Sequence, residues 1–333
     1  MTLAFGYLGP EATFTEAALI QLLEARGHTD AERVPMHNTE AAFDGLVNGR
    51  LDGAVVPIEN SVEGGVPATL DALTSHGHLQ IIAETLVHVK FVLCARPGTQ
   101  LGDITTYSTH PHAEAQTRGW TARNLPGAHY LPASSTAAAA RDLAPLPPGS
   151  DGQPAADAQP TGAGSAGDVR YQAAICPALA AERYGLEVLA EDIGDITGAV
   201  TRFVLVKLPG ALPEPTGADK TTLVAQLASD RAGALLELLE QFSTRGVNLS
   251  RIESRPTGDG LGLYQFSIDA QGHLAEARVA EALAGVHRVA RRLQFLGSYP
   301  EATGSRVFVA PHNTDESFAE AQAWLERIRS VGL

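Results

Sequence analysis

The sequence predicts a two-domain α/β protein, and three features lead there. Its 333 residues exceed the ~100 to 200 of one ordinary domain. Short apolar runs alternate with amphipathic helical stretches over roughly the first two hundred residues, the pattern of β/α units feeding a largely parallel sheet. After a proline-rich break the order changes to βαββαβ.

The first expected strand runs from Ala4 to Leu8. Gly9-Pro10 turns the chain, and Thr13-Phe14-Thr15-Glu16 has the spacing of a capping box, which opens an amphipathic helix that stops near Gly27. A helix over 39–48 and a strand over 53–58 follow, then Asn60-Ser61 and a Gly64-Gly65 turn before a helix over 68–74. Residues 81–95 predict one or two long strands. A second set of units comes next: a strand over 104–108, a helix from Pro111, a strand over 129–131 and a helix from Ser135, which together could build a second lobe.

Between Ala144 and Asp168 the sequence is almost entirely Pro, Gly, Ala, Ser, Asp, Gln and Thr, too poor in apolar side chains to anchor a core, and it is expected to be a disordered surface insertion. Regular structure resumes with a strand over 172–175, a helix over 177–184 stopped by Gly185, and a strand over 198–206. Leu208 through Pro215 can continue neither a helix nor a central strand, so the expected divisions are 1–207, a linker at 208–219, 220–300, and a tail at 301–333.

Beyond the linker come a strand over 221–228, a helix over 233–244, strands over 249–255 and 263–269, a helix over 274–286 and a strand over 293–297. This is a ferredoxin-like unit, of a kind that commonly pairs with a second copy, so a homo-oligomer is expected, dimer or tetramer. The tail adds a helix over 315–329 that belongs to neither pattern.

Composition narrows the function. A net charge of −14 without a cluster of Lys and Arg opposes a phosphate-backbone binder, so nucleic acid is not an expected partner. The N-terminus carries no basic segment followed by an apolar run, and no stretch is apolar for long enough to span a bilayer; the expectation is a cytoplasmic protein with no membrane partner. Cys94 and Cys176 sit inside apolar runs and read as reduced thiols used as small hydrophobes. The pairs His76/His78 and His110/His112 have alternating spacing, but without Cys or clustered acids nearby they read as solvated turn histidines rather than metal ligands.

The strand-to-helix junctions carry hydroxyls or amides: Thr13, Thr15, Asn60, Ser61, Ser108, Thr109, Ser134, Ser135 and Thr136. Any one of them is explained by local capping. Their recurrence points to a cleft whose helix N-termini suit an anionic small molecule. Val56-Pro57-Ile58-Glu59-Asn60-Ser61 runs an apolar strand into an acid, an amide and a hydroxyl at the edge where α/β ligands bind. Thr201-Arg202-Phe203 places one cation in a strand built for burial, and its partner is either an internal carboxylate or one on a substrate.

Gly9-Pro10-Glu11-Ala12-Thr13-Phe14-Thr15, Val56 to Ser61, Thr109-His110-Pro111, Ala181 to Leu186 and Thr201-Arg202-Phe203 together resemble the prephenate dehydratases. Gly233-Ala234-Leu235 and Glu253-Ser254-Arg255-Pro256 look like the phenylalanine-responsive ACT domains attached to those enzymes. The resemblance covers roughly residues 3–299. It implies a two-lobed catalytic unit similar to periplasmic solute-binding proteins, and loss of water and carbon dioxide from prephenate to give phenylpyruvate, with no cofactor or metal. Thr201 is implied as donor to the departing hydroxyl, with Glu59 a proton source if burial raises its pKa. Arg202 would anchor a carboxylate, with Thr13, Asn60, Ser61, Thr109 and the motif's Phe203 around the substrate. Phenylalanine would be bound at a subunit interface by Gly233, Ala234, Leu235, Asn248, Leu249, Glu253, Ser254, Arg255 and Pro256, as a feedback effector. Arogenate dehydratase and a non-catalytic metabolite sensor are the alternatives. Two points stand against a simple transfer: neighbours in a regular strand point to opposite faces, so Thr201 and Arg202 cannot both face a ligand, and Ala199 stands where the family usually has Asn.

Overall fold

The computed structural model describes residues 2–144, 170–229, 231–257 and 264–331; apart from Ala144, the segment expected to be disordered lies outside them. The described residues form three sheets. The first is built from β1 (Ala4–Leu8), β2 (Glu32–Met36), β3 (Gly53–Asn60), β4 (Gly64–Gly65), β5 (Gln80–His88) and β11 (Val200–Lys207), with α1 (Phe14–Ala25), α2 (Thr39–Val47) and α3 (Pro67–Ser75) in the connections. Its order is β2-β1-β3-β11-β5, with β4 paired to β3. β1 runs parallel to β2 and β3, whereas β11 returns antiparallel between β3 and β5.

Helices cover both faces, so the central strands are apolar throughout rather than alternating. Phe5, Tyr7, Val55 and Phe203 pack under Leu19, Leu22 and Leu23 of α1 on one side. Val56, Ile58 and Val204 pack with Phe43 and Leu46 of α2 and Leu73 of α3 on the other. Thr13 caps α1, taking the Glu16 N–H, while the Glu16 carboxylate returns to the N–H of Ala12 at 2.5 Å rather than to that of Thr13. β2 escapes the sequence reading because Glu32, Arg33 and Pro35 mask its pattern, which an edge strand tolerates.

The second sheet contains β6 (Val92–Ala95), β7 (Thr106–Thr109), β8 (His129–Pro132), β9 (Ala173–Cys176) and β10 (Glu187–Ala190), in the order β10-β6-β9-β7-β8. Its helices are α4 (Pro111–Asn124), α5 (Thr136–Leu143) and α6 (Ala178–Arg183). The chain crosses between the sheets twice, from β5 to β6 and from β10 back to β11. The two crossings are tied by the Val89 N–H donating to the Ala199 carbonyl at 2.8 Å. Two lobes joined by a double crossing are what the resemblance to solute-binding proteins leads one to expect. Ala199 is 4 % exposed and lies in this hinge. Cys94 and Cys176 are buried free thiols with their sulfurs 3.3 Å apart; the hydrogen bond between them, with burial, pushes the Cys176 thiol well above its ordinary pKa.

The third sheet is antiparallel, β13-β14-β12-β15, from β12 (Asp219–Leu227), β13 (Leu249–Pro256), β14 (Tyr264–Gln271) and β15 (Ala290–Pro300), with α7 (Ala234–Ser243) and α8 (Ala277–Val289) on one face. This is the ferredoxin-like order. The other face lies against the first lobe, where Val224, Leu296 and Tyr299 join the core around Leu73 and Ile81. β15 comes so close to β5 that a Cβ at Gly297, whose φ is 139°, would strike the Ile81 carbonyl. The tail helix α9 (Asp315–Val331) is docked as well: Asp315 Oδ1 accepts the Ala277 N–H at 2.7 Å and so caps α8, whose N-cap residue Glu276 makes no side-chain cap. Among the described residues no helix is long and apolar enough to cross a membrane.

Candidate active site

Strands β1 and β3 are parallel, as are β7, β8 and β9, so the junctions after each group gather at one edge of each lobe. These edges touch. Glu11, in the loop after β1, pairs with Arg183 of α6 at 2.6 Å. Glu63, after β3, pairs with His112 of α4 at 2.7 Å and accepts a bond from Gln116 at 3.4 Å. Phe14 meets Phe91 edge-on across 5.7 Å. Burial, with repulsion from His112, pushes His110 at the start of α4 below the ordinary histidine pKa. None of the interlobe ion pairs was foreseen from sequence; His110-Pro111-His112 at a helix start was the one visible signal.

The hydroxyls expected to face a substrate differ in whether their proton is already in use. Thr13 donates to the Leu8 carbonyl at 3.0 Å, and Thr109, fully buried, donates to that of Ile175 at 2.7 Å. Ser61 accepts the Val200 N–H at 2.9 Å, and its own proton has no acceptor among the described residues. Thr201 is 8 % exposed and sits opposite Asn60 in the ladder. Asn60 Nδ2 lies 2.8 Å from Thr201 Oγ1, while Asn60 Oδ1 accepts the N–H groups of Val62 at 2.8 Å and Glu63 at 3.2 Å. Those two N–H donors fix which end of the amide is oxygen. The NH₂ end can only donate, so the Thr201 oxygen must accept, and its proton has no acceptor among the described residues.

Alternation along β3 and β11 sends the neighbours of this pair the other way. Glu59 pairs with Arg202 across the ladder on the opposite face. Arg202 is 5 % exposed and enclosed by three carboxylates: Glu59 Oε2 lies 3.2 Å from Nε, within ion-pair range but without hydrogen-bond geometry, Glu84 Oε2 3.0 Å from Nη1, and Asp269 Oδ2 of β14 2.5 Å from Nη2. Burial works against its charge, but Asp269, Tyr299, Glu84 and Glu59 outweigh it and raise its pKa above the ordinary value. The expectation that Arg202 anchors a substrate carboxylate is therefore corrected, because the guanidinium faces the third sheet and its partners are internal. The Glu59 side chain is 37 % exposed and paired with a cation, so the burial on which a proton-donor role depended is missing. Phe203 packs in the core beneath α1 and not in the cleft.

The expected effector residues also divide. Gly233, Ala234 and Leu235 line a cavity of about 460 Å³ beside α7, with Arg231, Tyr264 and Phe266 among its walls. Gly233 begins the helix at φ 84°, a conformation that favours glycine. Asn248 bonds Gln271 at 2.9 Å and Leu249 packs against the core under α7 and α8; neither lines the cavity. Glu253 and Arg255 face the first lobe instead: Arg255 holds Asp71 of α3 through contacts of 2.6 and 3.2 Å, and a Cβ built on Gly65 would collide with the Glu253 carboxylate. Ser254 and Pro256 are exposed on the edge strand, outside the cavity. No cluster of His, Cys, Asp and Glu able to hold a metal occurs among the described residues.

Residues 5–210 match the family model described as prephenate dehydratase, and residues 221–288 that of the ACT domain. A curated relative from Mycolicibacterium vanbaalenii, a prephenate dehydratase, is 43 % identical over 97 % of both chains. The crystal structure of the Arthrobacter aurescens prephenate dehydratase in complex with L-Phe superposes with a TM-score of 0.87 at 52 % identity, covering 98 % of this chain and 100 % of that one. The solved structure of GqqA, described as a novel type of quorum quenching acylase, superposes at 0.72 with 29 % identity, covering 91 % of this chain and 98 % of that one. With both segments matched in order and relatives of this identity along nearly its whole length, the chain belongs to the prephenate dehydratase family and carries an ACT domain behind its two lobes.

Proposed function

We propose that this protein converts prephenate to phenylpyruvate, water and carbon dioxide, with Thr201 aiding departure of the ring hydroxyl, and that phenylalanine regulates it through the ACT domain. In this elimination the bond to the ring carboxylate breaks and its electron pair moves into the ring as carbon dioxide leaves. The ring aromatises, and the carbon–oxygen bond breaks with hydroxide taking up a proton. No electron carrier is needed. The protein has to hold a dianion and stabilise charge growing on the leaving oxygen.

The observation that carries the assignment is the Asn60–Thr201 bond of 2.8 Å. A threonine hydroxyl is a poor acid, but one that accepts a bond from a fixed amide donates more strongly and in a set direction. It serves as a donor aimed at developing charge. Ser61, beside it, offers a second free hydroxyl. With Arg202 engaged elsewhere, the substrate's carboxylates fall to the backbone N–H groups at the start of α5, where Ser135 takes only that of Ala138 and those of Thr136 and Ala137 have no partner among the described residues.

Phenylalanine, the effector, takes the cavity beside α7. Leu235, Leu236 and Tyr264 leave apolar surface exposed at its rim, which suits completion of the site by a second copy of the chain and supports a homo-oligomer. A soluble biosynthetic role fits a cytoplasmic location.

Phenylpyruvate formation from prephenate at neutral pH, without added metal or cofactor, tests the reading. Turnover well above the blank, altered by added phenylalanine, is expected. A rate equal to the blank refutes it, and faster turnover of arogenate in parallel would reassign the substrate.

A further inference from the structure

Between the first lobe and the ACT sheet lies a cluster of buried charges that the cleft chemistry does not use. Arg202, Arg251, Lys220, Glu84 and Asp269 are each at most 9 % exposed. Asp269 is fully buried at the centre. Its carboxylate takes Arg202 at 2.5 Å, Arg251 at 2.8 and 3.2 Å, and the Thr222 hydroxyl at 2.7 Å. Glu84 binds Arg202 on one side and Lys220, at 2.8 and 3.1 Å, on the other. Burial pushes the Asp269 carboxyl up, but Arg202, Arg251 and Lys220 outweigh it and hold it well below the usual carboxylate range.

Adhesion alone does not account for such a cluster. Buried ion pairs stabilise little relative to apolar packing, and Val224, Leu296 and Tyr299 already supply apolar contact at this junction. What charges add in a dry interface is a fixed position. The position fixed here is that of the reacting pair: Arg202 follows Thr201, Glu59 precedes Asn60, and each of the four faces its partner in the ladder. The register with β3 slips directly after Arg202, which sets the pairs of Thr201 and Arg202 apart from the rest of that ladder, while β5 pairs with both residues in unbroken register on the other side. A second grip lies beside the first, where Glu253 of the ACT sheet presses on Gly65 of β4, itself paired with Glu59.

We propose that Asp269, in the ACT domain, is a positioning residue for the dehydration, acting through Arg202 to hold Thr201 and Asn60 in register at the cleft. The ACT sheet is then the back wall of the catalytic strands and not only a regulatory attachment. β14 carries Asp269 together with Tyr264 and Phe266 of the effector cavity, so one strand joins that cavity to the reacting pair. This proposal rests on the functional reading above.

The test is kcat and KM for prephenate in the full-length wild type, Asp269→Asn, Asn60→Ala and the double variant. Asp269→Asn should lower kcat by about tenfold or more with KM held within about threefold, since small misplacements at a reacting centre cost about that much. In the Asn60→Ala background, where the hydroxyl is already unaimed, the same change should lower kcat by less than about threefold, because groups acting as a unit are not additive. An unchanged kcat, or an equal loss in both backgrounds, would overturn the proposal, the latter marking general loosening. Arg202→Lys, made in parallel in case Asp269→Asn does not fold, keeps a cation but cannot reach three carboxylates at once; it should show the same kcat loss, and wild-type kcat would equally overturn the proposal. A wild type without turnover would sink the functional reading and this proposal together, whereas an active wild type with additive variants sinks this proposal alone.

Discussion

Asn60→Asp is the smallest change that reverses the direction of the Thr201 hydroxyl. The aspartate has the same shape and can still accept the N–H groups of Val62 and Glu63, which Asn60 Oδ1 takes at 2.8 and 3.2 Å. Its second oxygen stands where the NH₂ group was, 2.8 Å from Thr201 Oγ1, and can only accept. Thr201 must then turn its proton toward position 60 and away from the leaving oxygen. Loss of one donor aimed at a developing charge costs about 10² to 10³ in kcat, or about 2.7 to 4 kcal/mol. KM should rise as well, because the new carboxylate repels a dianionic substrate, so the donor assignment is read from kcat at saturating prephenate. The assay is phenylpyruvate formation at saturating and limiting prephenate, with a thermal melt to show that the turn is intact. A kcat within about threefold of wild type would refute the assignment of donor and acceptor in this pair.

Four further outcomes follow. Gly65→Ala should destabilise by about 1 to 2 kcal/mol in denaturant titration, a modest overpacking cost because the Glu253 carboxylate can swing aside, and Glu253→Ala in the same chain should remove the penalty. Asp269 makes stability depend on acid: its pKa is depressed by the surrounding cations, so its contribution is complete above the unfolded value of about 4 and is lost as pH falls below it. Unfolding free energy should therefore fall from about pH 4 downward, with a shallower slope in Asp269→Asn. Arg255→Ala removes a half-exposed pair with Asp71 and should cost only about 0.2 to 1 kcal/mol at moderate salt. Gly233→Val places a β-branched residue at φ 84° and into the cavity wall; it should lower the melting temperature, through roughly 1 to 2 kcal/mol of strain, and weaken the response to phenylalanine, whereas an unchanged response would place the effector elsewhere.

Much of the frame was legible in the sequence because local rules set it. Thr13 capping α1, the glycine stops, and the apolar run of β3 ending in Asn60 and Ser61 are all decided by neighbours in the chain. The conflict between Thr201 and Arg202 was legible too, and it resolves as alternation requires, Thr201 toward Asn60 on one face and Arg202 toward the third sheet on the other. Which residue took which face was not, because the partners of Arg202 lie 118 positions back at Glu84 and 67 positions on at Asp269. A signal for the second existed: Phe266-Ser267-Ile268-Asp269-Ala270 sets a lone acid in a buried strand, the counterpart of the lone cation at Arg202. The alternating contacts of β13 likewise send Glu253 and Arg255 to the first lobe, an outcome fixed by where the ACT sheet docks and by nothing local. Donor direction at Thr13 and Thr109 depends on the carbonyls that tertiary structure brings to them.

The Thr201 hydroxyl is central to the proposed reaction, and the steady-state kcat of Thr201→Ala beside wild type with prephenate at neutral pH tests its role most directly. The prediction is a kcat lower by about 10² to 10⁴ with the fold retained. A variant that matched wild type would contradict it, and the group assisting the leaving oxygen would have to be sought elsewhere in the cleft, with the uncommitted hydroxyl of Ser61 the first to examine.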